Sequence, residues 1–238
     1  MTTEINSTNS QHSSAMVAAI SLLIMTIAAI FSYGYVHTSL VVEDPAVTFK
    51  NIQTSLPLFR FELIGWGVII LTDLLVSWAF YMFLKPYHPG YSLLAGILRL
   101  VYTGILAAAV SRLVIAHNLV QGKISFDLTS DAQLVSEVTS SILAFESIWS
   151  IGLIVFGAHL LVIGAIGRRA IPIPNFISIL LVIAGASYLL IHILHRFFPL
   201  WDHVTDGLEI VLSVPMMAGE LGFGMWLLFK GRKIETPG

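Results

Sequence analysis

The sequence predicts an all-α membrane protein, a bundle of six transmembrane helices, and three observations carry that expectation. Of 238 residues, 56% are hydrophobic and only 11% charged, with a mean hydropathy of +0.86; in a soluble domain about a quarter would be charged. The apolar residues gather into runs of roughly twenty or more, the length that spans a bilayer as a helix. These runs are continuously apolar and do not alternate with period two, which excludes a lipid-facing β-barrel.

The first run, residues 15–35, is preceded by no Lys or Arg, and Phe31-Ser32-Tyr33 is a poor site for signal cleavage, so it reads as a retained helix. The others are 63–84, 91–116, 142–166, 173–194 and 208–229. The domain organisation follows as a polar N-terminal tail (1–14), one transmembrane domain (15–230) and a short basic cytoplasmic tail (231–238). Ser130 and Gln133 form a capping box ahead of the fourth helix, and Pro199 stops the fifth. From Asp131 to Ile166 the fourth helix would be about 54 Å long, so it must tilt, bend or project beyond the outer surface.

Six spans put Lys85, Arg168, Arg169, Lys230, Arg232 and Lys233 on one side. The opposite connections carry Lys50 and Lys123 with Glu43, Asp44, Asp127, Asp131, Asp202 and Asp206. The expectation is a multi-pass protein of the cell membrane with both termini cytoplasmic. A net charge of -2 argues against a nucleic-acid partner, and the absence of cysteine excludes disulfides, thiolate metal sites and thiol chemistry.

Residues 72–106 align without gaps to residues 158–192 with about ten identities, including Pro86 with Pro172 and Tyr102 with Tyr188. This reads as an internal, parallel helix-pair repeat, in which Asp73 and His159 are equivalent; chance matching of apolar helices accounts for the same identities.

The stretches FRFELIGWGVIILTDLLVSWAFYMFLKP, LAGILRLVYTGI, HLLVIGAIGRRAIPIPNFISILLVIAGASYLL and GELGFGMWLLFKG resemble the bacterial integral membrane family catalogued as domain of unknown function 4386. The resemblance covers roughly residues 15–231 and rests on the Asp of the second helix, the Arg-Leu of the third, the IPxP turn and the final Gly-Glu. It implies a six-helix bundle. It transfers no activity and no catalytic residues.

Ionisable residues inside a membrane are costly, so each needs a partner, a wet cavity or a function. At 1.5 Å per residue, Asp73, Arg99, His159 and Glu220 all lie about 10 to 18 Å from the cytoplasmic ends of their spans. Glu62, Arg112, Glu146, His192 and His195 lie about 15 Å further out, and Glu209 lies near the outer surface. Glu62 and Asp73 are eleven residues apart, as are Glu209 and Glu220, which returns each pair to one helix face. Tyr188, His192 and His195 share a face of the fifth helix. These stripes are expected to point inward.

In the middle layer Arg99 pairs with Asp73 or Glu220, with His159 nearby. One guanidinium cannot balance both carboxylates, so the second acid is the candidate for proton exchange. Pro215, Gly219, Gly222 and Gly224 flank Glu220, for close helix packing or ligand approach. In the outer layer His192 and His195 have a spacing that can chelate a divalent ion such as zinc, with Glu146, His117 or Glu62 completing the shell; packing against the outer acids explains the same spacing, and otherwise no cofactor is expected.

Three function classes follow. The first is an intramembrane enzyme using acid-base chemistry on a lipid or other apolar substrate, with Glu62, Asp73 and Glu220 as catalytic candidates. Arg99, Arg112, Glu146, His159, Tyr188 and Glu209 would form the substrate or network groups, and Trp66, Trp78, Tyr81, Tyr102 and Trp149 an aromatic lining. The second is a proton-coupled small-molecule transporter, for which a homodimer would supply enough helices. The third is a non-catalytic sensory or partner-binding protein, using the connection from His37 to Leu58. The enzyme ranks first because the ionisable groups concentrate toward one leaflet.

Overall fold

In a bilayer a long, continuously apolar run satisfies its backbone hydrogen bonds internally as a helix, and helices are what form. The computed structural model describes residues 2–123, 130–170 and 173–231. Asp127, Ile171, Pro172, Arg232 and Lys233, invoked above for topology, the repeat and the IPxP turn, lie outside the described residues.

Helix α1 (Thr2–Ala29) runs directly into a π-helical stretch, Ile30–His37, and then into the short α2 (Thr38–Leu40). After α3 (Pro45–Thr54) come α4 (Leu56–Leu84), α5 (Pro89–Val120), α6 (Asp131–Gly167), α7 (Asn175–Phe197) and, past a 3-10 turn at Pro199–Trp201, α8 (Asp202–Lys230). Six helical segments are long and apolar enough to cross a membrane: Gln11–Leu40, Leu56–Leu84, Pro89–Val120, Asp131–Gly167, Asn175–Phe197 and Pro199–Lys230. The chain is a six-span, all-α membrane protein, and no strand occurs among the described residues. Its first helix starts upstream of the expected tail boundary, and Gln11 and Ser14 are buried.

The helix ends follow local chemistry. Asp44 caps α3 by accepting from the backbone N–H groups of Ala46 (2.8 Å) and Val47 (3.2 Å), with Pro45 in the first turn. Ser130 Oγ accepts from Gln133 N at 3.4 Å at the start of α6. Pro199, which cannot continue a helix, follows the end of α7.

The chain forms two compact units. One comprises Met1–Leu23, Thr72–Thr103 and Ser150–Gly238; the other comprises Ile24–Leu71 and Gly104–Trp149. In the first unit α4 and α5 are joined by Ser77 Oγ donating to Gly96 O (2.9 Å) and Ser92 Oγ donating to Tyr81 O (2.8 Å). Gln11 Nε2 ties α1 to α4 by donating to Phe83 O at 3.0 Å. Helices α6 and α7 touch backbone to backbone where Gly157 faces Gly185. A Cβ on either would lie 2.8 or 2.6 Å from the other's carbonyl oxygen, so only glycine permits the approach.

Around Glu220, Gly219 packs on Ala184 and Leu180, and Gly224 on Leu22, while Gly222 faces open space. Two of the three glycines flanking this acid therefore serve helix packing. Helix α8 continues through Pro215.

The second unit contains the π-helical stretch. Gly65 of α4 lets that stretch come close, because a Cβ there would collide with Ser32 Oγ. Thr48 folds α3 back onto the preceding segment by exchanging hydrogen bonds with Val42 N and O, both at 2.9 Å.

Candidate functional site

In the first unit, α4, α5, α6 and α8 bring together Asp73, Arg99, His159 and Glu220. Arg99 is fully buried and its guanidinium is heavily engaged. Nε and Nη2 donate to Asp73 Oδ1 at 2.9 and 2.6 Å, and Nη1 donates to Glu220 Oε1 and to His159 Nε2, the latter at 3.2 Å. An arginine only donates, so His159 Nε2 must be the acceptor; its Nδ1 then carries the proton and donates to Ala95 O at 2.8 Å. His159 is thereby fixed as a neutral tautomer. The rings of Phe80 and Phe156 lie 5.6 and 5.5 Å from the guanidinium carbon, where cation–π attraction adds to the ion pairs. Asp73 Oδ2 is buried without a hydrogen-bond partner among the described residues.

The second unit holds a different constellation. His37, the last residue of the π-helical stretch, donates through Nδ1 to Glu62 Oε1 of α4 at 2.8 Å. Its Nε2 is 3.6 Å from Glu146 Oε1 of α6, within ion-pair range but without a hydrogen bond. Trp66 Nε1 donates to the same Glu62 oxygen at 3.3 Å. Exposure rises along the row, from 0% for the Glu62 side chain to 4% for His37 and 42% for Glu146.

Aromatic rings close around this row. Tyr33 stacks on His37 (5.3 Å between centroids) and meets Trp149 edge-on (4.8 Å); Trp66 meets Phe145 and Trp149, both at 5.2 Å; Phe145 lies 5.4 Å from His37. Glu62 Oε2 and His37 Nε2 are buried without hydrogen-bond partners among the described residues.

The remaining candidates are dispersed. His192 pairs with Ser150 Oγ (3.1 Å), and its ring stacks on Tyr188, with centroids 6.0 Å apart. His195 instead reaches acids at the start of α8: Asp202 (3.3 Å), Asp206 (3.7 Å) and Glu209 (3.2 Å). The two histidines thus take different partners. Among the described residues no group of three or more His, Asp or Glu side chains is arranged to hold a metal ion.

Arg112 is exposed, and Arg60 donates through Nε to His117 Nε2 at 3.2 Å. Of the expected aromatic lining, Trp66 and Trp149 stand in the second unit's cluster, Tyr102 packs on Phe156 in the first, Tyr81 is half-buried, and Trp78 is 52% exposed.

Sequence reasoning named His37 only as the start of a connecting segment and did not select Tyr33 or Phe145. The legible signal was the spacing of Tyr33 and His37, one helical turn apart at the end of the first apolar run. The π-helical winding that ends at His37 gives no sequence signature of its own.

The family model described as Domain of unknown function (DUF4386) matches residues 17–231. An uncharacterized protein of Archaeoglobus fulgidus is 28% identical over 175 residues, covering 74% of this chain and 86% of that protein. No solved structure matches.

Proposed function

For this chain, which belongs to the Domain of unknown function (DUF4386) family, we propose an intramembrane enzyme that uses acid-base chemistry on a lipid or other apolar substrate. The observation that carries the proposal is the row Glu62, His37, Glu146 inside an aromatic surround.

Its chemistry follows from the hydrogen bonds. Glu62 accepts a hydrogen bond from His37 Nδ1–H, so in the neutral ring the Nε2 lone pair is free to act as a general base. When Nε2 takes a proton from substrate, the imidazolium stands between two carboxylates and is stabilised by both. The proton can then pass toward Glu146, the most exposed member of the row. Trp66 holds Glu62 by its N–H, so the carboxylate is oriented from two sides. Tyr33, Phe145, Trp66 and Trp149 supply apolar surface for an apolar substrate.

The test is conversion of lipid by purified protein in nanodiscs, loaded with a membrane lipid extract and followed by mass spectrometry. The parent should convert one component, and His37→Gln and Glu62→Gln should abolish conversion while the protein still unfolds cooperatively. Conversion that survives His37→Gln, or none by the parent, would overturn the reading.

A second reading, proton-coupled transport, is favoured by the charge count of the other unit. Two carboxylates and one guanidinium leave one negative charge beside a neutral His159, and Asp73 Oδ2 has no hydrogen-bond donor among the described residues. A proton or small cation taken up there would balance it. Proteoliposomes carrying a pH gradient should then show substrate-dependent proton uptake that Asp73→Asn removes; the gradient decaying alike with parent and variant would discard this reading.

A further inference from the structure

The unsatisfied atoms at the His37 site share one polarity. Glu62 Oε2 is a carboxylate acceptor, and in the neutral ring, whose Nδ1–H donates a hydrogen bond to Glu62, His37 Nε2 is an acceptor as well; both are buried and unpartnered among the described residues. Glu146 Oε1, 3.6 Å from Nε2, is a third acceptor. The rings of Tyr33, Trp66, Phe145 and Trp149 add π faces, which carry negative potential.

The charges around the site have the same sign. Among the described residues the ion-pair partner of Glu62 and of Glu146 is His37, and neither carboxylate meets a Lys or Arg. On α4 and α5, Arg60 is directed to His117, while Arg112 is exposed. With Glu62 and Glu146 ionised, the row carries a net negative charge whether or not His37 is protonated.

A ligand suited to these groups brings several N–H donors and a positive charge. We propose that the site binds a primary alkylammonium, a cationic amine on an apolar chain, as the substrate class of the acid-base enzyme inferred above, on which this inference rests. Its N–H groups reach Glu62 Oε2 and His37 Nε2, the two carboxylates offset its charge, and the aromatic rings contact its ammonium and first methylenes. An alcohol offers one donor and no charge. A fatty acid would set a third carboxylate against two others. A trimethylammonium keeps the cation–π attraction but has no N–H for the unpartnered acceptors.

Trp66 and Trp149 lie within the site, so tryptophan fluorescence of the full chain in nanodiscs reads occupancy directly. Dodecylamine should give a saturable change with an apparent Kd about tenfold or more below that of dodecanol or dodecyltrimethylammonium, and dodecanoate should give none. Glu62→Gln should weaken dodecylamine by about tenfold or more with an unchanged unfolding temperature. If that variant fails to fold, Glu146→Gln replaces it, with weakening in the same direction. Dodecanol binding as tightly as dodecylamine, both lost in Glu62→Gln, would overturn the amine assignment and leave the acid-base site standing. Dodecylamine binding undiminished by both substitutions, or no saturable change with any of the four, would overturn the assignment together with the site.

Discussion

The two units each gather buried charge around one cationic or potentially cationic side chain, and they do it in opposite ways. In the first, Arg99 spends its donors on Asp73, Glu220 and His159 and lies against two phenylalanine rings. In the second, His37 satisfies one nitrogen with Glu62 and leaves the other facing Glu146 without a hydrogen bond. An arginine stays charged and must be neutralised wherever it is buried, so its surroundings form a lock. An imidazole can be neutral or charged, so surroundings that leave one of its nitrogens without a hydrogen bond suit a group that exchanges protons, as the proposed chemistry requires. Buried charge and an unpartnered oxygen occur in both units, since Asp73 Oδ2 also lacks a partner among the described residues; the spare ring nitrogen of His37 belongs to the second.

Removing Arg99 is the strongest way to break this contrast. Arg99→Gln should lower stability by about 3–5 kcal/mol, because Asp73 and Glu220 lose their shared counterion in a low-dielectric interior. Thermal unfolding in detergent reads the loss, and an equal loss in His37→Gln would erase the distinction between lock and proton-exchanging group.

Next in size is Gly65→Leu. The new side chain would collide with Ser32, costing about 1–3 kcal/mol by overpacking, and would push the π-helical stretch and its terminal His37 away from α4. A chemical denaturation curve gives the first number, and loss of dodecylamine-induced fluorescence change gives the second consequence. Retained binding would show that the close approach at Gly65 is not what sets the His37–Glu62 contact.

Trp66→Phe sharpens the comparison more gently. It removes one N–H donor to Glu62 while keeping an aromatic ring, so the loss should be about 1 kcal/mol. A double-mutant cycle with Glu62→Leu, which removes the acceptor, isolates that hydrogen bond; zero coupling would mean that Trp66 only packs. Smallest of all is Arg112→Gln. This exposed residue should change stability by no more than about 0.5 kcal/mol, and a loss above 1 kcal/mol would point to a partner that the contrast overlooks.

The Arg99 cluster was largely legible because its members sit in regular helices, where rise per residue gives depth and 100° per residue gives face. Asp73, Arg99, His159 and Glu220 were expected at one depth, and they meet. Glu62 was placed at its layer by the same arithmetic, but its partner was not. His37 lies beyond the expected end of the first span, at the close of a π-helical stretch where both rise and face departed from the α-helical count. Arg112 shows the opposite failure: its depth drew it into the network, yet depth says nothing about face, and it is exposed. His192 and His195 share a helix face by spacing, but the local turn into α8 supplies His195 with acids that His192 does not meet in hydrogen-bond or ion-pair range.

Arg99 also has a history in time. Its partner Asp73 precedes it by 26 residues, in the helix made just before, whereas Glu220 follows it by 121. At about 5–20 residues per second, the ribosome needs roughly 6 to 24 s to bring that second carboxylate into existence. During the interval the α4–α5 hairpin can travel as a neutral couple, Asp73 with Arg99, already joined by Ser77 and Ser92. The last helix then arrives at a counterion that is waiting for it. A nascent chain halted before α8 should therefore hold α4 and α5 together and still admit Glu220 when the final span is supplied as a separate peptide.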